Sequence, residues 1–170
     1  MSASYQDASE RRKKMYQRGA PTVFASKADA RFAYCMYVPE TFDEDPSGHT
    51  LIVTIHGTGR TMTVYRDALS HFCRYNKCLV LSPLFPVGVL GDDNPEGFKY
   101  MREGDIRYDE ILLAMVDEVS QKLGARFDRF MMFGFSGGGH FVHRFLYLHP
   151  KRLLAASIGA PGAVTLIDPT

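Results

Sequence analysis

Residues 50–57 read TLIVTIHG, an unbroken apolar and β-branched run. Strict alternation marks a strand with one wet face, whereas a continuous run marks a strand buried on both faces of a parallel sheet. Residues 77–86 (KCLVLSPLFP) repeat the pattern and stop at Pro83 and Pro86. Residues 129–135 (RFMMFGF) and 153–162 (LLAASIGAPG) are two further strand candidates. Upstream, TVFAS (22–26) and the aromatic-rich RFAYCMYVPE (31–40) read as strands. Between them the period changes from 2 to 3.6. Residues 63–75 place Val64, Ala68, Leu69 and Phe72 on one helical face. Residues 106–123 carry the stripe Ile111, Leu112, Met115, Val116 and Val119, with Asp105 as the expected N-cap and Gly124 as the stop. A third helix is expected over 140–149, ended by Pro150.

Strand and helix thus alternate, which calls for a mostly parallel α/β sheet with helices on both faces. The segment 87–104 interrupts the alternation. It holds four glycines, Pro95 and the pair Asp92-Asp93, and long connections of this kind are often functional.

Composition adds limits. The 170 residues are 45% hydrophobic and 23% charged, as in one ordinary globular domain. The formal net charge of +1 suggests no nucleic-acid partner, and no apolar window is long enough for a membrane span. The first 20 residues form a basic arm, with Glu10-Arg11-Arg12-Lys13-Lys14 and Arg18 ahead of the break at Gly19-Ala20-Pro21. The arm lacks the apolar core of a secretory signal, so a cytoplasmic location is the expectation. Cys35, Cys73 and Cys78 form no CxxC pair and read as reduced thiols.

Two motifs carry chemistry. In GFSGG (134–138), Gly134 and Gly138 flank Ser136 two residues on either side, after a strand and before a helix. Such a turn lifts the serine above the sheet, next to the free N–H groups of a helix N-terminus. In HGTGR (56–60), a second glycine-rich loop follows a buried strand. Acyl transfer needs a nucleophile and two N–H donors aimed at the developing oxyanion. Ser136 is the candidate nucleophile, with Gly137 and Thr58 as the candidate oxyanion donors. His56 is expected to order its loop rather than to catalyse.

On HGTG, GFSGGG and the element order between them, the chain resembles the α/β-hydrolase superfamily. GFSGGGHFVHRFLYLHP looks like the esterase and poly(3-hydroxybutyrate)-depolymerase-like hydrolases within it. The resemblance runs from about Thr22 to Pro161. It implies strands one to six of an eight-stranded sheet, a small-molecule ester or related carbonyl substrate, and no cofactor or metal. It assigns Ser136, Gly137 and Thr58 the roles just given.

The resemblance also exposes a gap. It expects an acid and then a histidine after Ser136. The residues that follow hold one acid, Asp168, and His140, His143 and His149, all three on or at the end of the helix that starts at the serine. Helical geometry turns His140 down its own helix, and Asp168 is only a possible acid. The base and the acid are therefore expected beyond residue 170. Residues 21–170 are then the N-terminal portion of a hydrolase domain whose remainder is a partner. An open parallel edge strand invites pairing, a homo-oligomer included. The alternative is a non-catalytic ligand-binding or partner-completed subunit of the same fold. The leucine, valine and phenylalanine residues of 84–100 are the expected wall of an apolar pocket.

Overall fold

A computed structural model describes residues 8, 10–12 and 14–166. Its centre is the strand foreseen at TLIVTI. This strand, β3 (Thr50–Ile55), is buried along nearly its whole length. It lies between β4 (Cys78–Leu84) and β7 (Phe130–Phe135), parallel to both. Beyond β7 runs β8 (Leu153–Gly159), also parallel. On the other side β2 (Ala33–Tyr37) pairs antiparallel with β4, and β1 (Phe24–Ala25) pairs antiparallel with β2. The six-stranded order is β1-β2-β4-β3-β7-β8. The sheet is thus mostly parallel with an antiparallel margin, and β8 is its open edge.

Three helices cover it: α1 (Met62–Tyr75), α2 (Tyr108–Leu123) and α3 (Gly137–Leu148). The main core lies under α2 and α3, where Leu112, Met115, Val116 and Val119 meet Phe130, Met132, Phe141 and Phe145. The stripe read from α2 is therefore the buried face. Gly124 takes φ 65° at its C-terminus, as a left-handed cap requires. Asp105 is not the N-cap. Residues 102–107 form a small hairpin of β5 (Arg102–Glu103) and β6 (Ile106–Arg107), and the helix starts after it. Pairing with β5 claims Ile106 for a strand before a helix can use it. α3 likewise starts at Gly137, three residues before the expected point.

The stripe on α1 differs most from expectation. Val64 and Phe72 are exposed, whereas Met62 and Cys73 are buried. The helix lies mainly over β4 and β2, so Cys73 and Leu69 reach Ile52 and Val80. Val64, Tyr65 and Ala68 instead border, with the other side of Leu69, an apolar groove of about 310 Å³ lined also by Phe133 and Phe135 of β7. That face of β7 is uncovered. β8 exposes Leu154 and Ile158 as well.

The described part of the basic arm is exposed, and a turn ends its helix at Met15. Arg18 pairs with Asp43, and Gly19 bridges to Val38 at 2.7 Å. All three cysteines are buried and unpaired. No described helix is long and apolar enough to cross a membrane.

Candidate active site

Strand β7 becomes helix α3 at Ser136, whose backbone sits at φ 55° and ψ −119°. A non-glycine residue held there costs about 1–3 kcal/mol, a strain that persists only where the surroundings over-determine it. They do so here. The Ser136 N–H donates to the carbonyl of Gly159 at the end of β8 (2.9 Å), and the Ser136 carbonyl accepts from His140 N–H (3.1 Å). The flanking glycines allow the approach. A Cβ on Gly134 would strike the carbonyl of Gly138, and one on Gly138 would strike the carbonyl of Ile55. Ser136 occupies the helix N-cap position, yet its hydroxyl caps nothing. An N-cap serine ordinarily accepts from the first turn. This side chain is exposed and free of that bond.

The loop after β3 lies beside the turn. The backbone nitrogen of Thr58 is 3.2 Å from where a Cβ of Gly137 would stand. Among the described residues, neither the Thr58 nor the Gly137 N–H donates to a protein acceptor. Two free donors therefore sit next to an exposed serine. His56 pins this loop from below. Its Nε2 accepts the Phe85 N–H (3.0 Å), so its Nδ1 carries the proton and donates to the Gly57 carbonyl (2.9 Å). Burial pushes its pKa down to about 4, so the ring is neutral. With both nitrogens committed, His56 positions the loop, as the sequence led us to expect. Arg60, at φ 53°, ties the loop from above by donating to the carbonyls of Thr58 (2.6 Å), Pro95 (2.6 Å) and Phe85 (3.3 Å). Its guanidinium also lies over the Phe98 ring.

The histidines after Ser136 are occupied elsewhere. His143 is buried, with Nδ1 3.4 Å from the Gly139 carbonyl and Nε2 accepting the Thr165 N–H at 3.0 Å. His149 meets the buried carboxylate of Asp109 at 2.8 Å, at the far end of α3 from Ser136. His140 has its Nδ1 3.4 Å from Arg144. Burial first, and then the charges of Arg144 and Lys99, lower its pKa. Asp168 lies outside the described residues. The expected wall from 84–100 divides. Phe85 and Phe98 are core residues, Val87 is exposed, and Leu90 faces a separate surface cleft with Asp29, Arg31 and Arg107. A short 3-10 turn (Gly97–Tyr100) packs on α3 and brings Lys99 to the site, its Cε 3.1 Å from the Cβ position of Gly137. Nothing in the sequence singled out Lys99, since a lone lysine in a loop carries no pattern.

No family model matches the chain, and no curated protein sequence matches it. Solved structures do. A poly(aspartic acid) hydrolase from Sphingomonas sp. KT-1 superposes with a TM-score of 0.71 at 23% identity, over 89% of this chain and 60% of that one. A poly(3-hydroxybutyrate) depolymerase from Bordetella parapertussis gives 0.67 at 23%, over 79% and 49%. The chain has the α/β-hydrolase fold. A fluorophosphonate-binding serine hydrolase from Staphylococcus aureus gives 0.55 at 17%, over 74% and 48%. The chain thus spans about half to three fifths of these neighbours. Within the α/β-hydrolase fold, Ser136 stands at the turn between a central parallel strand and the helix that follows it.

Proposed function

We propose that this chain is the nucleophile-bearing part of a serine esterase. The observation that carries the reading is the strained, exposed and uncapped Ser136 with two uncommitted N–H donors beside it. Ser136 Oγ attacks an ester carbonyl carbon and loses its proton to a histidine base. The C=O becomes an oxyanion held by the N–H groups of Gly137 and Thr58. Collapse expels the alcohol, which takes the proton, and water releases the acid in a second round. Each donor is worth about 3–4 kcal/mol in such sites. The base and the acid are supplied by polypeptide beyond residue 170, docked along β8 and over the apolar face of β7. The structural neighbours include enzymes acting on poly(aspartic acid) and poly(3-hydroxybutyrate), which supports hydrolysis of a carbonyl bond.

One observation favours a second reading. Since His143 and His149 are engaged with other partners and His140 faces Arg144, a chain acting alone binds a carbonyl ligand without turnover. A fluorophosphonate probe followed by peptide mass spectrometry decides between them. Modification of Ser136 that is abolished in Ser136→Ala supports the hydrolase. A folded protein that stays unmodified, alone and with the completing polypeptide, overturns it.

A further inference from the structure

Three cations belong to the elements that meet at Gly137: Lys99 lies against it, Arg60 is tied to the Thr58 loop, and Arg144 is on the helix that Gly137 starts. Lys99 is buried, with about a tenth of its side chain exposed, and its ammonium-bearing carbon lies against the Gly137 backbone. A lysine is rarely buried without a partner. This one bonds both oxygens of Glu96, at 2.6 and 2.7 Å, and Glu96 itself is nearly half exposed. Arg60 donates to three carbonyls, and Arg144 donates to the Lys99 carbonyl (2.6 Å) and the Thr165 hydroxyl (3.0 Å). Among the described residues, neither guanidinium makes a close ion pair, so neutral carbonyl and hydroxyl dipoles hold both in place, and Arg60 feels the Glu96 carboxylate only at longer range. The opposing acids are Glu96, which bonds Lys99 and attracts Arg60 at longer range, and Glu103. Glu103 is buried behind Gly97 and bonded to Tyr108 and to Asn94 (2.8 Å). Of these described groups three are positive and two negative, and Glu96, nearly half exposed, is the acid that a ligand can displace or sit beside.

Resting on the esterase reading, we propose that the site selects substrates bearing a carboxylate close to the scissile carbonyl, and that Lys99 is the specificity residue that receives it. An ammonium has three donors in all. Glu96 holds it beside the reaction centre, and a substrate carboxylate completes its shell, with Arg60 and Arg144 adding attraction at longer range. A cation that served only the oxyanion would speed neutral and anionic substrates alike. A lysine that only stapled the loop to Glu96 would distinguish neither.

The test measures binding without turnover. In a Ser136→Ala background, nuclear magnetic resonance shifts are followed during titration with monomethyl glutarate and with dimethyl glutarate. The monoanion is expected to bind about tenfold more tightly, the scale of one charge-assisted hydrogen bond, and to lose that advantage in high salt. Lys99→Met, which keeps the aliphatic stem, should abolish the preference while leaving the neutral ester within about twofold, and Lys99→Arg should retain it. Glu96→Gln, which frees the ammonium without removing it, should increase the preference. Equal binding of the two esters overturns the proposal. So does a preference that survives Lys99→Met, or a Lys99→Met protein that loses both ligands together. Fluorophosphonate labelling of the parent keeps the two readings apart. Labelling without anion preference removes only this proposal, whereas anion preference without labelling removes only the hydrolase.

Discussion

Acidification should loosen the candidate oxyanion loop through one residue, His56. Its ring is fully buried and neutral, with a proton on Nδ1 and a backbone N–H donated to Nε2. In the unfolded chain an imidazole takes up a proton near pH 6.5, and in the folded one only near pH 4. Between these values the unfolded state binds the extra proton, so stability falls as pH falls. The full contribution is present above about pH 6.5. The difference of about 2.5 units, at 1.36 kcal/mol each, amounts to about 3 kcal/mol lost by pH 4. For a domain with a stability of about 5–15 kcal/mol this is a large share. Other acids titrate in the same range, so the clean measurement is a difference. His56→Leu should be less stable than the parent at pH 7, because Phe85 N–H and the Gly57 carbonyl lose their partner. That gap should shrink by about 3 kcal/mol between pH 7 and pH 4. Urea titrations of both proteins at four pH values measure it. A gap that stays constant across the range would refute the claim that a neutral, desolvated His56 holds the loop.

Four further outcomes are expected. Ser136→Gly should raise the unfolding free energy by about 1 kcal/mol, since glycine relieves the φ 55° strain, while removing fluorophosphonate labelling; a fall in thermal midpoint would contradict the strain. Gly138→Ala should cost at least about 2 kcal/mol in urea titration, because its methyl would meet the Ile55 carbonyl, whereas Gly19→Ala, with open space around it, should cost only the left-handed backbone penalty of about 1–2 kcal/mol. Asp109→Asn should destabilise by about 2–3 kcal/mol at pH 7 by breaking the bonds of a buried carboxylate to Arg107 and His149. Burial raises the pKa of that carboxylate, but the hydrogen bonds of Arg107 and His149 outweigh it and hold the value below its usual range, so the stabilisation is present at neutral pH and disappears only in strong acid. Finally, Phe135→Lys, on an exposed apolar face, should leave the urea midpoint nearly unchanged and reduce self-association in sedimentation.

The uncovered face explains where sequence reading succeeded and where it slipped. Burial of β3 was legible because an unbroken β-branched run has few other uses. The stripe on α2 was legible because its helix packs on the sheet along its length. On α1 the same periodicity misled. Val64 and Ala68 face the open groove, and periodicity reports an apolar face without saying what covers it. The start of α2 was misplaced because Asp105 has cap chemistry, but β5 recruits Ile106 across a two-residue turn. Strand pairing of that kind depends on a partner that a local pattern does not name.

The sequence by itself determined the serine, its glycines and the second loop, because the chemistry of a tight strand-to-helix turn admits few residue types. It also determined the alternation of strands and helices, and hence the sheet class. The tertiary structure decided what the histidines and cations do. His56, His143 and His149 are alike in sequence, yet one pins the loop, one holds Thr165 and one meets Asp109. Lys99 acquires its place beside Gly137 only when a loop 37 residues upstream of Ser136 folds onto α3. Partners of this kind are set by distance in space, and distance along the chain carries no record of them.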